Sequence, residues 1–161
     1  MSDFFDTQVD QIIVFTIDGL SYALSLQAVV KVIHAIEIRH LPKAPEIICG
    51  IINVKGKIIP VIDIRKRCGF ATREIELNDQ LIIANTIKRQ VAIIVDNVEG
   101  VKEFTDLEIA DTREILPFTE HIKGVAKMKE GIMLIYDLDQ FLSLDEEKKL
   151  DYALKTDVNE T

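Results

Sequence analysis

Few side chains of this 161-residue chain are spaced as catalytic or metal-binding groups are. The three histidines, His34, His40 and His121, are scattered, and neither an HxxxH nor an HExxH spacing occurs, so no metal site is predicted. GxGxxG, P-loop and GxSxG motifs do not occur in the sequence either. We therefore expect no bound cofactor and no catalytic site, and binding becomes the leading interpretation.

Two kinds of residue could still carry chemistry. Asp137 and Asp139 form a DxD pair that could hold a cation, but Asp137, like Asp63, ends a predicted strand just before a possible helix. A helix cap is the expected role at such a position. Cys49 lies beside Gly50 with no group nearby that would lower its pKa, and it is expected to be a small core residue.

The composition restricts the kind of partner. A net charge of −8 argues against nucleic acid, because phosphate contacts need clustered basic residues, and the one basic cluster, Arg65–Lys66–Arg67, is short. No apolar run of membrane-spanning length occurs, and the acidic N-terminus lacks the features of a secretory signal. With only two cysteines and no CxxC pair, a reducing cytoplasm is the expected compartment.

The elements that must position any binding surface are repeated along the sequence. At an offset of 69 residues, Asp10–Phe15 and Tyr22–Val32 fall on matching segments that begin at Asp79 and Val91. At an offset of 74, Gly50–Ile64 matches the segment that begins at Gly124, which implies a net insertion of five residues in the second copy. We interpret the copies as two small barrels related by a pseudo-twofold axis, with a groove between them.

The first copy is predicted to contain two hairpins. Asp18–Gly19 is a turn dipeptide between the first two strands, with Tyr22 and Leu24 on one strand face and Ala23 on the other. Pro60 favours an edge strand or a bulge, because proline cannot donate to the sheet. The predicted strands cover 11–17, 21–26, 51–54 and 58–63, residues 26–33 fit a helical turn or a strand, Pro42 and Pro45 mark a loop, and a short helix covers 64–69.

The second copy repeats this pattern and is followed by helix signals. Asp137 with Gln140 and Ser143 with Glu146 have the spacing of a capping box. We expect one domain over residues 8–150 and a frayed tail over 151–161, where the apolar pattern fades. The predicted strands cover 80–86, 90–96, 97–105, 121–127 and 131–136, with a polar loop over 106–120 that contains Pro117.

From Gly50 to Gly69 the sequence GIINVKGKIIPVIDIRKRCG resembles the CheW-like adaptor family of bacterial chemosensory arrays. The resemblance extends from about residue 10 to 145 and includes the segments FTIDGLSYAL, LPKAP and AIIVDNVEGV. The glycine, asparagine, proline and aspartate positions of the family motif are in register at Gly50, Asn53, Gly56, Pro60 and Asp63.

The resemblance implies an all-β fold with short helices, made of two pseudo-twofold-related, five-stranded SH3-like β-barrels. It also implies a non-enzymatic adaptor that binds the regulatory domain of a CheA-type histidine kinase and the cytoplasmic tip of a chemoreceptor. Such an adaptor is expected to be cytoplasmic, a monomer when alone, and recruited to membrane-associated receptor arrays without inserting into the membrane. The kinase contact is expected at exposed strand edges.

The family docks a helical receptor tip in the apolar groove between the barrels. Any single apolar residue of the corresponding set could instead be a core residue. Carried over to this chain, the groove residues are Leu26, Val29, Val30 and Ile33 from the first copy and Val95, Val98 and Val101 from the second.

Two positions depart from the family pattern. Lys31 stands where the family usually has glutamate, and Lys55 stands where it usually has arginine. An opposite-charge pair has thus become two like charges, and lysine lacks the bidentate fork of arginine. If both residues line the docking surface, the receptor should carry compensating carboxylates.

Two alternatives to a chemotaxis adaptor remain open at the level of sequence. The same adaptor could serve a chemosensory pathway whose output is not flagellar motion. A protein of another class, a small-ligand sensor that uses the groove between the barrels as its pocket, is the second alternative.

Overall fold

The computed structural model describes residues 9–105, 109–111, 121–128 and 131–159, which form strands, short 3₁₀ turns and two α-helices. The early strands are β1 (Val9–Ile17), β2 (Leu20–Ser25), β3 (Val29–His34), β4 (Ile48–Val54) and β5 (Lys57–Ile62), followed by helix α1 (Ile64–Cys68). The later strands are β6 (Gln80–Asn85), β7 (Gln90–Val95), β8 (Asn97–Thr105), β9 (Ile109–Asp111), β10 (Ile122–Met128) and β11 (Gly131–Tyr136), followed by helix α2 (Leu144–Asn159). The 3₁₀ turns are Leu26–Ala28 and Leu138–Gln140.

The strands form two sheets, each in its own unit of the chain. Unit 1 contains the described residues up to Val29 and from Asp96 to Gln140, and its sheet has the order β8-β1-β2-β11-β10-β9. Unit 2 contains Val30–Val95 and the residues from Phe141 onward, and its sheet has the order β3-β6-β7-β5-β4. The fold is therefore mostly β, as expected, with two small sheets of the SH3-like type.

The two sequence copies do not each form one sheet, which corrects the simplest interpretation of the repeat. Each sheet takes the first hairpin of one copy and the second hairpin of the other: β1–β2 joins β10–β11 in unit 1, and β6–β7 joins β4–β5 in unit 2. A parallel strand pair makes each junction, β2 with β11 and β5 with β7. A repeat in sequence specifies equivalent strands, but it does not specify which copy supplies the partner strand.

The exchange of hairpins preserves the repeat at the level of single residue pairs. Ala23 pairs with Ile135 in unit 1, and the residues at the two offsets, Ala92 and Val61, pair with each other in unit 2. The buried clusters correspond in the same way, because every member of the first maps onto a member of the second. The first cluster is Ile12, Val14, Ala23, Ala126, Met133 and Ile135, and the corresponding residues are Leu81, Ile83, Ala92, Ile52, Ile59 and Val61.

The first hairpin follows its prediction in the turn but not in its burial. Asp18 and Gly19 both have positive φ, 53° and 79°, as the tight turn requires. Tyr22, Ala23 and Leu24 are all buried, so β2 is covered on both faces rather than on one. Apolar residues on both faces are typical of a strand with no solvated side.

Three other predictions change in detail. Residues 26–33 contain both predicted structures, the 3₁₀ turn and then β3. Strand β5 is an interior strand rather than an edge strand, but β7 joins it only from Val61, so Pro60 faces a single paired neighbour, β4. Within the predicted loop 106–120, residues 109–111 form β9, while the remainder of that loop, including Pro117, lies outside the described residues.

The predicted frayed tail over 151–161 is wrong for residues 151–159, which belong to helix α2. Leu150 and Ala153 are fully buried, so the helix packs on unit 2 through one narrow apolar face. The apolar pattern did not reveal this face, because most of the residues around Leu150 and Ala153 in the sequence are charged. Those charges are paired: Arg67 with Glu146, Arg89 with Glu147 and Asp151, and Arg39 with Asp157.

The N-terminus of α2 has the predicted capping box. The N–H of Ser143 donates to Glu146 Oε1 at 2.8 Å, and the N–H of Glu146 donates to Ser143 Oγ at 3.1 Å. Partial burial alone would raise the pKa of Glu146, but the hydrogen bonds from Ser143 and Arg67 and the charge of Arg67 lower it. The resulting stabilisation is present above the ordinary glutamate pKa and is lost as the pH falls through the lowered value.

Gly50 allows a close approach of two chain segments in unit 2. Arg39 and Ile51 exchange hydrogen bonds of 2.9 and 2.8 Å, and a Cβ added at Gly50 would lie 2.6 Å from Ile38 Cγ2 and closer still to the Arg39 carbonyl oxygen. We expect Gly50→Ala to lower the free energy of unfolding by about 3 kcal/mol, because the backbone carbonyl must move. Chemical denaturation measures the change.

The matched control for this substitution is Gly19→Ala. Gly19 has φ +79° and open space around a built Cβ, so the control tests positive φ alone, at a cost of about 1 kcal/mol. Equal losses for the two variants would show that the contact at Gly50 does not constrain the fold.

Ala153 tests whether α2 is docked. We expect Ala153→Asp to lower the free energy of unfolding by about 3 kcal/mol or more, because a carboxylate would be buried without a partner. Leu144→Asp introduces the same side chain at an exposed position in the first turn of α2 and should change stability by less than about 0.5 kcal/mol. If denaturation midpoints for both variants match the parent protein, α2 does not pack on unit 2.

Candidate functional site

The family-motif residues build the hairpin β4–β5 of unit 2. Lys55 and Gly56 occupy the turn with φ of 52° and 86°, and the side-chain oxygen of Asn53 accepts a hydrogen bond of 2.8 Å from the Gly56 N–H. The Asn53 side chain therefore closes the turn. Gly56 adopts positive φ without steric strain at one of the two turn positions that require it. Lys55 is exposed at the tip of the hairpin.

The other motif residues fix the two ends of this hairpin. The β4–β5 register shifts between Ile48 and Gly50. At this position Gly50 allows the segment that contains Arg39 to approach closely. Asp63 Oδ1 accepts a hydrogen bond of 3.0 Å from the Arg65 N–H and so caps α1, which ends at Gly69 in the left-handed region, as predicted. Four of the five motif residues thus have a structural role in this hairpin, and the fifth, Pro60, lies within β5 opposite Ile51.

The predicted cation pair Asp137 and Asp139 has a structural role as well. Asp137 Oδ1 accepts a hydrogen bond of 3.0 Å from the Asp139 N–H at the start of the second 3₁₀ turn, as expected for a cap. His121 is half-buried with its ring stacked on Tyr136, whereas His34 and His40 are exposed. Within the part of the chain that the structure describes, no three His, Cys, Asp or Glu side chains come together as a metal site would require.

Five of the predicted receptor-binding residues lie in unit 2, namely Val30, Lys31, Ile33, Lys55 and Val95. Val30 is 46% exposed and Lys31 is exposed on β3, the edge strand of its sheet, while Ile33 is half-buried and packs against the core cluster. Successive side chains on a strand point to opposite faces, so Val30 lies opposite Lys31 and Ile33. Lys31 and the hairpin-tip residue Lys55 are both exposed, and no ion pair joins either to another described residue.

The four predicted residues of unit 1 are exposed or half-buried. Val98 and Val101 lie on β8, the edge strand of the unit 1 sheet, where they pair with Phe15 and Ile13. The register shift at this place leaves Glu99 unpaired, so the two valines share one face despite their spacing of three. Val101 is 52% exposed, and Val98, Leu26 and Val29 are half-buried in the same unit.

Val95 does not present a binding surface. Its side chain is 1% exposed, so it belongs to the core of unit 2 and has no surface for a partner to contact. The burial of Val95 could not be predicted from the sequence. Strand β7 is apolar at five successive positions, and such a pattern does not distinguish a groove residue from a core residue.

A cleft of about 430 Å³ lies beside α1 in unit 2, and the short basic cluster lines it together with Glu46 and Glu146. Its cations already have partners within the protein. Lys66 Nζ donates to the Glu46 carbonyl oxygen at 3.0 Å, and Arg67 binds Glu146 through two oxygens at 2.5 and 2.6 Å. The cluster therefore ties α1 to its neighbours.

A surface that the sequence analysis missed lies between α1 and β6. Residues 74–77, Glu-Ile-Glu-Leu, are all exposed, and Leu77 is 89% exposed. The available signal was the alternation of apolar and acidic residues in a segment that fits neither a helix nor a buried strand.

The CheW-like domain model matches residues 11–146. The chemotaxis protein CheW of Bacillus subtilis is 30% identical over 135 residues, which cover 83% of this chain and 86% of that protein, and CheW of Thermotoga maritima is 28% identical over 132 residues, 82% and 87%. The crystal structure of the scaffolding protein TtCheW from Thermoanaerobacter tengcongensis superimposes with a TM-score of 0.78 at 30% identity, covering 86% of this chain and 96% of that one.

The half-buried thiol of Cys49 gives a chemical test of the site. Burial, and then the negative charge of Asp63, raise the pKa of Cys49 to about 12, so the thiolate that a nucleophile requires is scarce. In a Cys68→Ser variant we expect a disulfide reagent at about pH 8 to leave Cys49 unmodified in the folded protein and to label it in denaturant. Rapid labelling of the folded protein would contradict the burial and the protonated state of this thiol.

Proposed function

This chain belongs to the CheW-like family, and we propose that it is a non-enzymatic scaffold that couples chemoreceptors to a CheA-type histidine kinase. The observation that carries the proposal is the family match over residues 11–146, which includes the residues that build both core clusters. The motif residues serve the fold rather than a reaction, which suits a scaffold. In this role the protein acts as a cytoplasmic monomer that is recruited to receptor arrays at the membrane.

Receptor binding is proposed for residues within each unit. In unit 2 these are Lys31 on an edge strand, Lys55 at a hairpin tip, and Val30, which lies on the opposite face of the edge strand from Lys31. In unit 1 they are the half-buried Val98 and the exposed Val101, which share one face of β8. An amphipathic receptor helix would use its apolar residues against the valines, and acidic residues would complement the lysines.

Kinase binding is predicted at exposed strand edges, and we propose that it also uses exposed side chains on two interior strands, β5 and β11. Ile58 on β5 and Ile132 on β11 occupy equivalent places in the repeated second hairpin, and both are exposed. A kinase regulatory domain of related fold could therefore meet an equivalent apolar side chain on either unit. We expect an interface of about 1,000 Å² in total, the low end of the specific range, which suits an array that must assemble and remodel.

Within the described residues, no helix has both the length and the apolar character needed to cross a membrane. Association with an array is therefore proposed to come from protein contacts with the receptor and the kinase.

A reconstitution of the three components tests the proposed function. Receptor-bearing membranes, the kinase and this protein are combined, and kinase autophosphorylation is measured with and without attractant. We expect receptor control of the kinase only when this protein is present. If the purified protein binds neither the receptor tip nor the kinase regulatory domain, the proposed function is wrong. Coupling without an effect on motility in the native cell would place the same adaptor in a pathway with another output.

The two lysines test receptor specificity. Their mutual repulsion at exposed positions is about 1 kcal/mol or less, so the double variant Lys31→Glu, Lys55→Arg should fold normally. It should bind a generic chemoreceptor tip more tightly and the protein's own receptor tip more weakly, by up to about fivefold in each direction. Titration calorimetry of both tips against both proteins measures this. Equal affinities in all four pairings would remove these residues from the docking surface.

A further inference from the structure

The segment between α1 and β6 is held in place at its beginning. The N–H of Phe70 donates to the Arg65 carbonyl oxygen at 3.0 Å, and Arg65 Nη1 donates to the Ala71 carbonyl oxygen at 3.1 Å. Arg65 is itself buried, so this anchor belongs to the core side of the helix. The chain therefore leaves α1 in a fixed direction.

The end of the segment is held by an ion pair between the partly exposed Arg73 and the buried Asp79. Arg73 contacts both oxygens of the Asp79 carboxylate, with Nη2–Oδ1 at 2.6 Å and Nη1–Oδ2 at 2.9 Å, and the N–H of Glu76 donates to Oδ2 at 2.8 Å. The Asp79 side chain is 4% exposed. The Asp79 carbonyl oxygen accepts a hydrogen bond of 2.9 Å from Ala35, which ties this point to the residue after β3. Residues 73–79 are thus closed into a loop by a bidentate, charge-assisted contact.

This fixed loop presents apolar side chains to solvent. Ile75 is 42% exposed and Leu77 is 89% exposed, and they alternate with exposed Glu74 and Glu76. A polar connection between a helix and a strand needs no such residues. Holding them in one conformation before binding lowers the entropic cost of association, as at a preorganised contact surface.

The charge of the loop selects its partner. A second copy of this chain would bring the same two glutamates and a net charge of −8 to the contact, which opposes self-association. We propose that residues 74–77 form a docking strip for a folded protein partner that presents an apolar pocket rimmed by lysine or arginine. This inference goes beyond coupling of a receptor to a kinase and does not depend on it.

The test uses the full-length protein and two kinds of strip variant. One double variant, Ile75→Ala, Leu77→Ala, removes the apolar contacts, and the other, Glu74→Lys, Glu76→Lys, reverses the charge. Because all four positions are exposed, the melting temperature of both variants should be unchanged. The control is Ile87→Ala, because Ile87 is 88% exposed in the β6–β7 turn of the same unit. Binding to the purified kinase regulatory domain and to the receptor tip is titrated for each protein.

In living cells, a photo-crosslinking residue at position 77, or at the control position 87, records the partner directly. We expect a discrete protein adduct at position 77 only, lost in the Glu74→Lys, Glu76→Lys background. If the kinase or the receptor is that partner, both strip variants should weaken the corresponding affinity by about tenfold or more, with Ile87→Ala unchanged.

The outcomes separate this proposal from the proposed function. Failure of the parent protein to bind kinase and receptor would reject the coupling role. The cellular adduct at position 77 would still test whether residues 74–77 form a docking strip. Absence of an adduct at position 77, or an adduct that persists after charge reversal, overturns the docking strip even if coupling is intact.

Discussion

The parallel pairings of β2 with β11 and of β5 with β7 are the constraint on which the remainder of the structure depends. Each joins a hairpin from one sequence copy to a hairpin from the other, so neither sheet can be completed by residues from a single copy. Parallel strands cannot be connected by a tight turn and bring together residues far apart in the chain. Formation of both sheets therefore requires long-range contacts across most of the sequence.

Each unit has its own buried cluster, and the two clusters are built from equivalent residues around the parallel strand pair. Ala23 and Ala92 lie in the parallel strand pairs, and larger aliphatic residues surround them. The register shift near Gly124 repeats the one near Gly50. All six core positions are apolar in both units, although Ala126 in one cluster corresponds to the larger Ile52 in the other.

The unequal parts of the two copies are the parts that can carry distinct contacts. The β1–β2 turn is Asp18–Gly19, whereas the connection between β6 and β7 contains exposed Ile87. Among the described residues, the packed helix α2 and the loop closed by Arg73 and Asp79 occur in unit 2 alone. A scaffold that binds different proteins through two related units needs such differences, since identical surfaces would bind one partner twice.

The sequence predicted the hairpins, the capping of α1 by Asp63 and the motif turn at Gly56, because each depends on local turn or cap chemistry. It did not predict the exchange of hairpins, since equivalent strands are interchangeable in a pattern. The capping box predicted the start of helix α2, but its extension over residues 151–159 was missed because a single narrow face, which includes Ala153, carries its burial. The division of the proposed receptor-binding residues, with Val95 buried and Val30 opposite Lys31, depends on strand pairing and burial that apolar composition does not encode.

The exchange of hairpins is tested most directly by cutting the chain between the copies. Fragments 1–71 and 72–161 are produced separately, and the dispersion of their amide NMR signals is compared before and after mixing. The account predicts that each fragment alone is unfolded, because each sheet would lack one of its two hairpins, and that a stoichiometric mixture recovers the spectrum of the intact protein. A fragment that folds alone into a stable sheet would contradict the account.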